Sequence, residues 1–331
     1  MFWDGRRCNL CRRRCVIPEG ASGVCGVRKN IDGELYTLNY GHVVALGVDP
    51  IEKKPLFHVL PGSQTLSYAL FGCNFRCLFC QNYEISQEWR RYNLDKTPFM
   101  APEELLTKAD TPVVSHTYGE PTIFFEYAYE VARLAHSQGR LNAFITNGYI
   151  TEEALDKVAP YLDAANIDLK AFNQRFYTEL VGGIKLDEVL ESIKAYHKRG
   201  IHVELTTLVI PGWNDDKKEF ADMVHWIATE LSPDIPLHLT AFHPDYKMLD
   251  TPPTRTEVLR ELRAAALKEL NYVFIGNAAA PEAFNTYCPN CGRPVIIRDY
   301  MRTVENRLKD GKCPYCGHPI KGVWHKKKNH Q

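Results

Sequence analysis

The chain has 331 residues, with 40 basic and 40 acidic side chains and a formal net charge of zero, and it is 45% hydrophobic and 24% charged. This composition is ordinary for a globular protein and excludes wholesale disorder, which needs high net charge and few apolar residues. No run approaches the ~18 uninterrupted apolar residues of a membrane span, and the even charge balance gives no chain-wide footprint for nucleic acid. The length predicts about two domains, or one large α/β domain with appendages. Residues Met1 to Cys8 contain no apolar stretch of the kind a secretory signal needs, so the expected location is a reducing cytoplasm.

Eleven cysteines are the unusual feature, and an odd number excludes complete pairing within one chain. Their short spacings point instead to metal sites. The first group, Cys8, Cys11, Cys15 and Cys25, offers four thiolates, with Gly20, Gly23 and Gly26 to let the loop close around an ion. Both structural zinc and an auxiliary iron–sulfur cluster accept four cysteines, and zinc is favoured. Arg6, Arg7, Arg12, Arg13 and Arg14 thread through this segment. A solvated face outweighs a docking patch for an acidic partner or RNA, since no aromatic platform accompanies them.

From residue 65 onward, β-rich runs alternate with amphipathic stretches. Strands are predicted at Thr65–Phe71, Pro112–Thr117, Leu141–Thr146, Ala164–Leu169, His202–Ile210 and Leu237–Phe242, with Tyr272–Ile275 as a further edge. Pro121 to Gly139 predicts a helix. So do Leu186, Val189, Leu190, Ile193 and Tyr196, which recur at helical spacing before Gly200. Thr254 and Glu257 read as a capping box for a helix running to Leu270. Six strand–helix units argue for a parallel sheet, open or closed into a barrel.

Polar residues collect where these strands end, the usual place for chemistry in parallel α/β folds. They are His116, Tyr118 and Glu120, then Asn147, Asp168, Lys170 and His243. The second cysteine group follows the first predicted strand on the same rim. It has three members, Cys73, Cys77 and Cys80, in a Cys-x3-Cys-x2-Cys spacing. A cubane cluster has four irons, so three thiolates leave one iron open to a small molecule.

The third group closes the chain. Cys288-Pro289-Asn290-Cys291-Gly292 and Cys313-Pro314-Tyr315-Cys316-Gly317 repeat one knuckle, and two knuckles make the closed tetrahedral site of a zinc ribbon. Iron accepts the same geometry. The following Lys326-Lys327-Lys328 reads as a solvated tail.

These residues resemble the radical S-adenosylmethionine (SAM) family, within the group like pyruvate formate-lyase activating enzyme. Cys73-x3-Cys77-x-Phe79-Cys80 carries that signature. The chain is similar in particular to the radical SAM enzymes of the AmmeMemoRadiSam system, through residues 48–56, Cys80-Gln81-Asn82, residues 117–123, residues 146–149, residues 167–170 and the two terminal four-cysteine segments. The resemblance implies an α/β fold, a partial (β/α)6 barrel with small cysteine-rich metal-binding modules at both termini. The segments would be residues 1–62, the barrel 63–280, a zinc-ribbon-like module 281–324 and a basic tail 325–331.

It also implies a [4Fe–4S] cluster on Cys73, Cys77 and Cys80, with SAM chelating the open iron. Glu120 would accept from the SAM ammonium, and Lys170, beside Asp168, would face its carboxylate. Phe79 would neighbour the adenine, Asn147 and His243 the ribose, and Asn277 the adenine border. Such a protein reductively cleaves SAM to a 5′-deoxyadenosyl radical and takes hydrogen from a substrate. It needs a low-potential electron donor, and its implied partners are a Memo-like protein and its companion; neither membrane nor nucleic acid is favoured.

One alternative keeps the mechanism and names a glycyl radical enzyme as substrate. Activators of such enzymes often carry Asp where this chain has Ile145 and Arg where it has Thr206. An alternative of another class is a zinc-ribbon RNA-binding or scaffold protein.

Overall fold

Seven apolar runs lie side by side as parallel strands of one sheet, and an eighth strand flanks them in the opposite direction. The computed structural model describes residues 1–91 and 96–325. After the first cysteine segment comes a hairpin of β1 (Arg28–Ile31) and β2 (Glu34–Thr37). β3 (Val43–Pro50) runs antiparallel to β4 (Gln64–Leu70). The parallel series continues through β5 (Val113–His116), β6 (Leu141–Thr146), β7 (Ala164–Asp168), β8 (His202–Val209), β9 (Leu237–Ala241) and β10 (Val273–Gly276). Spatial order follows chain order throughout, with β3 and β10 at the two edges.

Helices connect the strands. α1 (Tyr83–Ser86) and α2 (Pro102–Thr107) follow β4, α3 (Phe125–Ser137) follows β5, and α4 (Glu152–Val158) follows β6. α5 (Gln174–Glu179) and α6 (Leu186–Lys198) follow β7, α7 (Lys217–Trp226) follows β8, and α8 (Thr256–Ala266) follows β9. β5 is buried at every residue and β6 at all but one. That is why they read as continuous apolar runs rather than alternating ones. Helix starts are held by side chains where the sequence offers them: Asp216 accepts from the amides of Lys218 and Glu219, and Asn173 from that of Phe176.

The predicted strands occur within a residue or so of their expected bounds, and the expected edge at Tyr272–Ile275 is β10, parallel to β9. Two expectations fail. The Thr254–Glu257 capping box does not form: Arg255 occupies the cap position with no side-chain bond. The Thr254 hydroxyl is instead buried, donating to the Val209 carbonyl at 2.5 Å and accepting from the Phe242 amide at 3.0 Å. It stitches β8 to the end of β9, and a non-local bond takes the hydroxyl a local cap would need. The helix of residues 121–139 begins only at Phe125, because Glu120 closes a turn with the amide of Ile123.

The C-terminal part is a three-stranded sheet of β11 (Thr286–Tyr287), β12 (Pro294–Asp299) and β13 (Arg302–Asn306). Its buried Cys288, Val295, Ile296, Cys313 and Ile320 pack with Phe57, Tyr272 and Phe274 of the main fold. Lys326, Lys327 and Lys328 lie outside the described residues. No helix among the described residues is long and apolar enough to cross a membrane.

Candidate active site

The main sheet curves around a cavity of about 460 Å³ that opens at the C-terminal ends of its parallel strands. Residues from β6 through β10 reach it, among them Ile145, Asn166, Thr206, Thr240 and Ile275. The loop after β4 brings Cys73, Cys77 and Cys80 to the same wall. Gly72 makes the turn into that loop with φ near +98°, and a Cβ there would meet the Cys25 carbonyl at 3.2 Å. Only glycine fits both conditions. The loop is then clamped by backbone bonds from Arg76 to Val181 and from Leu78 to Leu180, each 2.9 Å, and Phe75 beneath it is fully buried.

The three thiols sit in a low-dielectric place. Burial pushes Cys77 up to about 12 and Cys73 well above the usual thiol value, while Cys80 is raised by burial and partly relieved by Ser86 at 3.1 Å. Three thiolates gathered here need a cationic centre beside them, and iron supplies one. Among the described residues no fourth cysteine lines this cavity. The donor set fits a cubane with one unclaimed iron.

Glu120 is buried, and burial raises its carboxyl. One oxygen accepts from the Thr146 hydroxyl at 2.7 Å and the Thr122 amide at 3.0 Å; the other accepts from the Asn147 amide at 2.9 Å. A carboxylate has about four acceptor sites, so one remains for a ligand. Asn147 is drawn into the cysteine loop itself: its side-chain amide donates to Asn74 Oδ1 at 2.7 Å and lies 3.7 Å from the Cys73 sulfur.

Lys170 and Asp168 pair at 2.8 Å, with the ammonium 5.7 Å from the Phe79 ring centre. Burial opposes the charge on Lys170, but Asp168 and then Cys77 outweigh it, and the ammonium is held above its ordinary value. Asn277 also lines the cavity, with a backbone φ near +54°. His243 does not: it is exposed on the rim, 3.5 Å from Gln81, which does line the cavity. The structure thus brings Cys73, Cys77, Cys80, Phe79, Glu120, Asn147, Asp168, Lys170 and Asn277 around one space.

Two parts of the wall lie outside the residues expected to hold cluster or SAM, although Tyr118 is among the polar residues at the strand ends and Lys53 and Lys54 fall in the stretch 48–56. Asp49 holds Lys53 and Lys54, each at 2.8 Å, and accepts from the Tyr118 hydroxyl. Lys54 is buried, lies 4.0 Å from the Tyr118 ring centre and is pushed down to about 8 by burial, against the pull of Asp49. A charged stretch before a cysteine motif was the available signal. The other part comes from the C-terminal sheet, which contributes Tyr300 and Met301 at the β12–β13 turn and, just before it, Phe284. Arg298 fastens this sheet: it donates to the Phe57 carbonyl at 2.5 Å, while the amide of Phe57 donates to the buried Glu204 at 3.0 Å.

The remaining cysteines form two further groups. Cys288, Cys291, Cys313 and Cys316 bring their sulfurs within 4.8 Å of one another, with opposed pairs at 3.6 and 3.7 Å. Four sulfurs around one tetrahedral ion stand about 3.8 Å apart, so a single metal ion fits. Cys8, Cys11, Cys15 and Cys25 surround a second, small cavity. Of the arginines nearby, Arg6, Arg7 and Arg14 are exposed, while two are fasteners: Arg12 donates to the Ile150 carbonyl at 3.1 Å and Arg13 to that of Gly182 at 2.8 Å. Neither is the free face that an RNA or acidic partner would need.

Comparison with known proteins agrees with this geometry. The Radical SAM superfamily matches residues 68–224. The protein MJ0808 of Methanocaldococcus jannaschii is 44% identical over 322 residues, covering 95% of this chain and 94% of its own. The pyruvate formate-lyase 1-activating enzyme of Escherichia coli K12 is 25% identical over 163 residues, 47% of this chain and 65% of that one. Among solved structures, a radical SAM methyltransferase from Sphaerobacter thermophilus shares the fold, with a TM-score of 0.52 at 15% identity over 65% of this chain and 66% of that one. The chain belongs to the family of MJ0808 and carries a Radical SAM superfamily domain over residues 68–224. It is a radical SAM enzyme, using a [4Fe–4S] cluster and SAM to generate a 5′-deoxyadenosyl radical that abstracts hydrogen from a substrate.

Proposed function

We propose that Cys73, Cys77 and Cys80 hold the cluster and that the rim residues around them hold SAM. The observation that carries this reading is three thiols, Cys77 buried and Cys73 and Cys80 half-buried, with Glu120 and the Asp168–Lys170 pair on one cavity wall. Lys170 offers a cation for the SAM carboxylate, and Asp168 keeps it protonated. Glu120 has one acceptor site left for the SAM ammonium. Phe79 gives an apolar face beside Lys170 for the adenine, with Asn277 at the far border. Asn147 acts mainly by holding the cysteine loop. His243 reaches the ligand only through Gln81. Residues of the C-terminal sheet exclude water from the radical's surroundings.

The reading extends to the wider system. We assign the protein to the AmmeMemoRadiSam group, with a Memo-like protein and its companion as partners, a low-potential one-electron donor as reductant and the cytoplasm as location. Zinc is the metal proposed for Cys288, Cys291, Cys313 and Cys316. Activation of a glycyl radical enzyme is the second reading, and the similarity to the E. coli activating enzyme favours it. Against it, Ile145 and Thr206, the two departures from the activator pattern, both face the cavity. A glycyl radical signal in a partner protein, dependent on this enzyme and SAM, would decide for activation.

The test of the main reading is anaerobic incubation of the reconstituted protein with SAM and dithionite. The expected result is 5′-deoxyadenosine and methionine from the wild type and neither from C73A/C77A/C80A. Equal yields from both would overturn the assignment.

A further inference from the structure

The two four-cysteine groups look alike in sequence and differ in space. At the C-terminus the four sulfurs close to within 4.8 Å of one another, the spacing of ligands on a single ion. Among the described residues that quartet is the group of three or more such ligands that closes so tightly. Cys8, Cys11, Cys15 and Cys25 line one enclosed cavity without drawing together to that degree. Cys73, Cys77 and Cys80 do not close to that degree either. A cubane explains such a spacing, because each thiolate sits on a different iron with sulfides between them.

The walls of the N-terminal cavity point the same way. Leu10, Ile17 and Ile123 make them apolar, and Cys8, Cys11 and Cys25 are buried. Arg28 joins this lining, and its guanidinium is almost wholly buried. Two features define its state: one end pairs with Glu126, while Nε has no hydrogen-bond partner among the described residues. An orphaned buried donor is costly, and cluster sulfurs accept such hydrogen bonds.

We propose that Cys8, Cys11, Cys15 and Cys25 bind a second iron–sulfur cluster, of the [4Fe–4S] type, and not a zinc ion. The site adjoins the first one. Asn74, the residue after Cys73, is part of its wall, and the Cys25 carbonyl lies against Gly72. This inference does not rest on the reading of Cys73, Cys77 and Cys80.

The test is iron, sulfide and zinc content after anaerobic reconstitution of the full chain, of C73A/C77A/C80A and of C11A/C25A, with circular dichroism to verify folding. The proposal expects about eight irons, eight sulfides and one zinc per wild-type chain, and about four irons and four sulfides in each variant. About four irons and two zincs in the wild type, with all iron lost in C73A/C77A/C80A, would overturn it. Iron and sulfide lost wholly in C11A/C25A and retained in C73A/C77A/C80A would support it while refuting the assignment of the first site. The wild-type count alone discriminates should a variant fail to fold.

Discussion

The side-chain amide of Asn147 donates to the side-chain oxygen of Asn74 at 2.7 Å, tying the end of β6 to the residue after the first cysteine of the triad. Asn74 in turn donates to the Tyr149 carbonyl at 3.2 Å, and the Tyr149 amide donates to Asn147 at 3.0 Å. Both asparagines are buried, so the closed arrangement leaves neither unsatisfied. Because Glu120 accepts from the Asn147 amide, the cysteine loop and the acidic residue are positioned as one unit.

N147A breaks this unit while leaving every cysteine in place. The expected cost is about 1–3 kcal/mol of stability, from the buried groups left unpaired. Urea unfolding and iron content after reconstitution check it: both should fall. Wild-type values for both would show that Asn147 does not hold the loop.

Lys170 and Asp168 make a separable pair of predictions. K170M removes the cation proposed for the SAM carboxylate, and a charge-assisted bond of about 1.5–3 kcal/mol corresponds to roughly 10–100-fold weaker SAM binding. D168N leaves the amine in place but removes the carboxylate that keeps it protonated against burial, so SAM affinity should fall as well, and fall further as pH rises. Titration of the reconstituted protein with SAM measures both. Equal affinities in K170M and the wild type would remove Lys170 from the site.

The C-terminal metal should matter beyond its own module, because its cysteines share a core with Phe57, Tyr272 and Phe274. C291S/C316S is expected to lose one zinc and roughly 2–4 kcal/mol, lowering Tm by about 5–10 °C. It should also weaken exclusion of water from the cavity that Phe284, Tyr300 and Met301 help to enclose. Thermal unfolding and zinc content together report the result. An unchanged Tm with the metal gone would show the site to be dispensable for the fold.

Two histidines give the fold a pH dependence. His58 and His116 are fully buried, and burial pushes each down to about 3, against the opposing pull of Glu204 on His58 and of Asn142 on His116. Both stay neutral in the native state where the unfolded chain, with pKa near 6.5, takes up protons. Stability is therefore whole above about pH 6.5 and falls as pH drops from there toward 3, by about 1.4 kcal/mol per unit for each histidine. Glu120, raised by burial, acts in the opposite sense and reduces the net slope. Urea unfolding at pH 7.5 and 5.5 should differ by about 1–3 kcal/mol, and by less in H116Q. A flat profile would contradict the buried neutral state.

Much of this was legible in the chain. β5 to β9 and α6 were readable because each is set by local apolar pattern, and the triad because its ligands fall within eight residues, Cys73 to Cys80. β3 was not: its exposed edge positions give no clean period, and it sits apart from the strand–helix alternation. Thr254 misled for a related reason, since a capping pattern cannot announce that its hydroxyl is taken by Val209. The Asp49–Lys54–Tyr118 wall and the Arg298–Phe57 bond join residues far apart in the chain, and pattern reading has no access to such pairs. The spatial difference between the two cysteine quartets is likewise invisible to spacing alone.

The central claim is that Cys73, Cys77 and Cys80 leave one iron of their cluster for SAM. Electron paramagnetic resonance of the anaerobically reduced protein, recorded with and without SAM, tests it most directly. SAM should change the component of the spectrum that C73A/C77A/C80A lacks and leave any remaining component untouched. A spectrum indifferent to SAM, with the triad intact and its iron present, would contradict the account.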